Sequence, residues 1–167
     1  MKNLKLINYK SHRGHDGCTA FNADIVYNGK KIAHVYDDAM GGEYQYTTLG
    51  KWGSDEYMVN YKTLKGLIGK AKQLPKVKTE YGEINNCIDF IIDDLAKVWE
   101  IKKDEKKGVI VKRHSSWQII GFKTSIPTTI KKWSDGLDAI QKVYDEQKKK
   151  GAEILNTEYL QSVGINL

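Results

Sequence analysis

The sequence predicts an α+β fold: an N-terminal antiparallel β-meander of about four strands, followed by amphipathic helices with a second short hairpin. Three observations predict it. Asn28-Gly29 sits between two strand-like runs, and a two-residue type I′ turn needs φ > 0 at both central positions, which Asn and Gly tolerate best. Beyond Leu49 the apolar spacing changes from every second residue to every third or fourth, as strands give way to helices. A second pair of apolar runs, Val109–Lys112 and Trp117–Phe122, flanks the polar step Arg113-His114-Ser115-Ser116.

Taken in order, Lys2–Tyr9 alternates as a first strand, and the Asn-Gly turn joins the second and third. A straight register from that turn pairs Tyr27 with Lys30, Ile25 with Ile32, Ala23 with His34 and Phe21 with Tyr36. Strand side chains alternate, so Phe21, Ala23, Ile25, Ile32, His34 and Tyr36 share the core face, leaving Asn22, Asp24, Val26, Lys31, Ala33 and Val35 outside. Glu43–Leu49, rich in Tyr and Thr, supplies the fourth strand. Ser54-Asp55 caps a helix running to about Gln73 with Tyr57, Tyr61, Leu64, Ile68 and Ala71 on its stripe, although Gly66 and Gly69 each weaken it by up to about 1 kcal/mol. Leu74-Pro75 ends it.

The strongest helical pattern runs from Gly82 to Lys103, with Ile84, Cys87, Ile88, Ile91, Ile92, Leu95, Val98 and Trp99 as its apolar stripe. Lys102–Gly108 reads as a solvated charged turn. A last helix starts near Pro127, carries Ile130, Trp133, Leu137, Ile140 and Tyr144, and closes at Lys148–Gly151. The tail docks Ile154, Leu155, Tyr159 and Leu160. Residues 1–50 then form the sheet and 54–167 the helical portion with hairpin 109–122, a reasonable single compact domain at 167 residues.

Composition narrows the function classes. The net charge of +6 is spread thinly along the chain, and Arg13 and Arg113 are the only arginines among 27 basic residues. Bidentate readout of bases and phosphates depends on Arg, so nucleic acid remains an open partner class without being the preferred one. Ten Tyr and four Trp against three Phe suit half-buried surfaces and interfaces. Two cysteines, Cys18 and Cys87, are too few for a disulfide framework, and no apolar run approaches the roughly 20 residues that cross a bilayer. A cytoplasmic protein with no membrane role is expected.

Closure of the first hairpin brings its two polar flanks to one end. His15 and Asp16 precede the second strand, while Asp37, Asp38, Gly41, Gly42 and Glu43 follow the third and lead into Tyr44 and Tyr46. These nine residues are the candidate binding site. Paired carboxylates can hold a cation or share a proton, and Gly41-Gly42 permits close approach of backbone to a ligand. The same Asp-Asp-turn-Gly-Gly pattern also suits a plain strand ending with Asx hydrogen bonds. His12, His15, Asp16, Cys18 and His34 have metal-ligand chemistry, but only His12 and His15 are spaced as a pair, so no metal or other cofactor is expected. Cys18 or Ser11 with His15 lacks the separate elements that normally hold nucleophile and base together, and His34 or His114 cannot be placed as a base from sequence, so no catalytic residue is assigned.

The stretch Gly14 to Tyr46, with its G-x-D-G, A-F-N-A-D-I, G-K-K-I-A, D-D and G-G-E segments, resembles the opening of a loosely defined group of small bacteriophage-encoded accessory proteins of unknown function. The resemblance implies a non-structural protein acting in the cytoplasm of an infected bacterium, by binding a host protein, antiviral-defence components included, or by sequestering a small signal molecule. Three readings stay open. The preferred one is a non-enzymatic binding protein that inhibits a host factor, as a monomer or a homo-oligomer. The second is a ligand- or nucleotide-binding or hydrolytic protein with its site at the polar hairpin end. The third is a nucleic-acid-associated protein.

Overall fold

A computed structural model describes residues 1–13, 18–79, 81–113 and 116–167. The chain divides into two compact units, Met1–Ala96 and Lys97–Leu167, each with its own apolar core. The fold is α+β. In the first unit, strands β1 (Leu4–Arg13), β2 (Thr19–Tyr27), β3 (Lys30–Asp37) and β4 (Gln45–Thr48) form an antiparallel meander in sequence order. Asn28 and Gly29 both take positive φ, 51° and 80°, as a type I′ turn requires.

Helix α1 (Asp55–Ala71) lays Leu64, Leu67 and Ala71 over one face of this sheet. The side chain of Ser54 accepts from the Tyr57 N–H at 3.2 Å, which satisfies one of the donors left open at a helix start. Gly50 makes the tight entry possible: its φ is 109°, and a Cβ there would stand 2.8 Å from the Tyr57 nitrogen. Short strands β5 (Val77–Thr79) and β6 (Gly82–Ile84) then pair, and α2 (Ile88–Asp104) begins in the first unit and ends in the second. Ile88, Ile92 and Ala96 join Ile25, Ala33, Val35 and Leu67 in the first core. Each fully buried aliphatic side chain there contributes roughly 1.5–3 kcal/mol relative to exposure.

The second unit is built on hairpin β7 (Gly108–Arg113) and β8 (Ser116–Gly121), covered by α3 (Ile126–Lys132), α4 (Gly136–Lys149) and α5 (Thr157–Ser162). Its core gathers Val109, Val111, Ile126, Ile140, Tyr144 and Leu160. Asn156 pins it: its Oδ1 accepts from the buried Ile110 N–H at 3.0 Å, and its Nδ2 donates to the carbonyls of Gly108 and Glu105 at 2.9 and 3.1 Å.

Several expectations are corrected. The register of β2 with β3 shifts by one residue between Ile25 and Val26, because Ile32 is an extra residue in a β-bulge. Asp24 therefore faces His34, and Ala23 faces Val35. Side chains beyond the bulge change face: Ala33 and Val35 are fully buried, whereas Tyr36 is exposed and His34 half-exposed on the outer side. Ile32 keeps its place in the core. The pattern read as a helix from Gly82 contains β6 at its start, so Ile84 belongs to a strand and Cys87 precedes the helix. Val98 and Trp99, placed on the stripe, are exposed. The last helix is broken in two at Trp133, whose backbone is extended (φ −120°, ψ 132°), so α3 and α4 are separate.

Candidate functional site

The first unit contains a groove of about 590 Å³ between the sheet and its helices. One wall is Glu43 and Tyr44 with Tyr46, Thr47 and Thr48 of β4; the other is Tyr57, Tyr61, Leu64, Lys65, Ile68 and Lys72 along α1; Cys87, Ile88 and Asp89 close the floor. Asp89, in the first turn of α2, is the fixed point of that floor. It accepts the Tyr46 hydroxyl at 2.5 Å and the Tyr44 backbone N–H at 3.2 Å, while the Tyr44 hydroxyl reaches Asp93 one turn on, at 3.5 Å. Burial first, and then the neighbouring carboxylates Asp93 for Tyr44 and Asp89 for Tyr46, push both phenols well above the ordinary tyrosine range. They stay protonated and act as hydrogen-bond donors, not as bases or nucleophiles.

An aromatic ladder leads out of this groove along α1. Trp52 packs on Tyr57 with ring centroids 5.1 Å apart, Tyr57 stacks on Tyr61 at 6.1 Å, and the Lys65 ammonium lies 5.6 Å from the centre of the Tyr61 ring. The spacing Tyr57, Tyr61, Lys65 places these groups on one helix face. Trp52 is 81% exposed and Tyr61 39%. Sequence reasoning put Tyr57 and Tyr61 on the core stripe; the buried stripe is instead Asn60, Leu64, Leu67 and Ala71. Asn60 conceals that stripe in the sequence. It is buried as a polar residue because its Nδ2 donates to the Leu49 carbonyl at 3.0 Å, tying α1 to the end of β4.

The nine candidate residues from the hairpin end fall into three groups. His15 and Asp16 lie outside the described residues. Asp37 and Asp38 fold into turns: Asp37 Oδ1 accepts from the Ala39 N–H and Asp38 Oδ1 from the Met40 N–H, each at 2.9 Å, with Ala39, Gly41 and Gly42 all at positive φ. Glu43, Tyr44 and Tyr46 line the groove. Among the described residues, His, Cys, Asp and Glu side chains gather nowhere in groups of three or more that could hold a metal ion.

A second polar cluster occupies the outer face of the sheet. Asp24 is buried there, bonded by Lys31 Nζ at 2.7 Å, Asn8 Nδ2 at 2.7 Å and lying 3.0 Å from His34 Nδ1. Asn8 takes φ 53° where β1 shifts register. Burial alone would raise the Asp24 carboxyl, but hydrogen bonds from Lys31, His34 and Asn8 outweigh it and hold the pKa down to about 2. Every partner of this carboxylate is already in place, so the cluster is a structural clamp. Among the described residues no helix is long and apolar enough to cross a membrane. No protein-family model, curated protein or solved structure matches the chain.

Proposed function

We propose that this chain is a non-enzymatic binding protein whose contact surface is the aromatic ladder of α1 and the groove beside it. The observation that carries the reading is the row Trp52, Tyr57, Tyr61 and Lys65, stacked in advance of any partner, with Trp52 81% exposed. A large exposed indole adds little to the fold, and rigid aromatic anchors contribute disproportionately to protein interfaces because they bury much area at low entropic cost. The tyrosine–carboxylate pairs hold Tyr44 and Tyr46 as fixed parts of the groove wall. The resemblance of residues 14–46 to phage accessory proteins supports a bacterial host protein as the partner, with inhibition of that protein as the outcome.

The test is capture from bacterial lysate by the tagged chain, identification of the retained protein, and measurement of its affinity for the purified chain. Trp52→Ala and Tyr61→Ala are each expected to weaken binding by about 30-fold, the size of a typical anchor residue of about 2 kcal/mol, with unchanged circular dichroism. A partner that binds both variants as tightly as the parent chain would sink the reading.

A further inference from the structure

We infer that the free edge of β4 is a strand-addition site, at which an extended acidic segment of the partner protein pairs as a fifth strand inside the groove; this rests on the protein-binding reading above. β4 ends the sheet, so only one of its sides is paired. The bond from Leu49 N–H to the Ile32 carbonyl, at 3.0 Å, fixes which residues turn inward. In an antiparallel ladder the hydrogen-bonding direction alternates, so Leu49, Thr47 and Gln45 address β3, while Tyr46 and Thr48 present N–H and C=O to the open side. Tyr44 comes next in that alternation, and its N–H is taken by Asp89, which seals the edge at that end.

The groove runs along this edge. Successive strand side chains point to opposite faces of a sheet, yet Tyr46, Thr47 and Thr48 all line the same hollow. A hollow that meets three consecutive residues reaches the open side of the strand as well as the face that α1 covers. Its other wall is α1, which offers the exposed Tyr61 and half-buried Ile68 for apolar side chains of an added strand.

Charge selects the occupant. Lys65 and Lys72 line the α1 wall two turns apart, a rise of about 10 Å, close to that of three residues of extended chain. Neither forms an ion pair among the described residues. Two carboxylates also line the groove: Asp89, bonded by Tyr46 and Tyr44, and Glu43, next to Tyr44 in the chain and away from the α1 wall. An extended segment carrying Asp or Glu on the α1 side meets the Lys65 ammonium on the Tyr61 ring, the Lys72 ammonium, and the outward backbone groups of Tyr46 and Thr48 together.

The same chain shows this kind of pairing in its second unit. There the outer edge of β7 is covered by the chain's own residues 153–155, with Lys112 N–H donating to the Glu153 carbonyl and Leu155 N–H to the Ile110 carbonyl, both at 2.9 Å. Among the described residues no segment does this for β4.

The test uses the full chain and octapeptides selected on it from a randomised display library, resynthesised with a fluorescein label and measured by polarisation. Selected peptides should be rich in Asp and Glu, and Lys65→Glu with Lys72→Glu should weaken them at least about tenfold. N-methylation along the peptide should weaken binding at alternate residues only, because every second N–H of an added strand faces β4. The 15N-labelled amides of Tyr46 and Thr48 should shift on titration. Selection of no acidic peptide, methylation effects without alternation, or self-association of the chain through β4 in sedimentation would each overturn strand addition. A host protein captured equally by the double lysine variant, but lost in Trp52→Ala, would also overturn it while leaving the aromatic surface intact as the binding site.

Discussion

The two hairpin-built cores of this molecule treat their sheet edges in opposite ways. In the second unit β7 is buried through Val109, Ile110 and Val111, and its outer side is closed by residues 153–155 and by the Asn156 amide. In the first unit the four-residue β4 is half-exposed and its outer side opens on the groove with α1. Exposed edges invite unwanted pairing, and proteins usually cover, charge or shorten them. Of these two edges, that of β7 is covered and that of β4 is kept short, with Lys65 and Lys72 of α1 lining the groove beside it. This chain can therefore seal a strand edge with its own residues, and at β4 it does not.

Proline substitution should separate the two edges most clearly. Leu155→Pro removes the N–H that bonds the Ile110 carbonyl at 2.9 Å, and should destabilise the second unit by about 3 kcal/mol in urea unfolding. Thr48→Pro removes an N–H that points away from β3, and should cost under about 1 kcal/mol, since Pro is tolerated on the open side of edge strands. Equal losses would show that β4 is not an open edge.

A smaller effect sharpens the account of the first unit. Asp24 is held at a pKa of about 2 against an ordinary 3.8, so its ionised form is favoured in the folded state. A depressed carboxyl contributes stability above the unfolded value that is lost as pH falls through the folded one. Stability of the first unit should therefore decline between about pH 4 and pH 2, and Asp24→Asn should flatten that decline while costing about 1–3 kcal/mol at neutral pH. The smallest effect belongs to the hairpin end. Asp37→Ala with Asp38→Ala removes two turn hydrogen bonds at the surface and should move the thermal midpoint by only a few degrees. If these carboxylates contact the partner, binding is lost with that small shift; if they only build the turn, binding survives.

How far the sequence could be read depended on what set each feature. The meander was legible because Asn28-Gly29 fixes a turn by local backbone chemistry alone. Its register was legible only as far as the turn's influence reaches. Nothing in Lys31-Ile32-Ala33 announces that Ile32 is accommodated as an extra residue, and that one insertion exchanged His34 for Val35 in the core. The groove was legible on one wall, Glu43, Tyr44 and Tyr46, because those residues adjoin the hairpin. The other wall was hidden, since Tyr57 and Tyr61 compete with Leu67 for the apolar stripe of α1, and the face that turns inward is set by the burial of Leu64, Leu67 and Ala71 together with the Asn60 bond to Leu49. Asp89 could not be found at all without the packing of α2, because its role rests on Tyr44 and Tyr46, more than forty positions earlier in the chain.

The exposure of Trp52 has a further consequence for how this surface can change over generations. A residue 81% exposed, standing outside both cores, can be replaced with little loss of folding free energy. Selection can therefore retune partner preference at Trp52 and along the outer side of α1 without first overcoming a stability threshold. Recognition and folding are in that way separated, and new specificities become accessible by single substitutions.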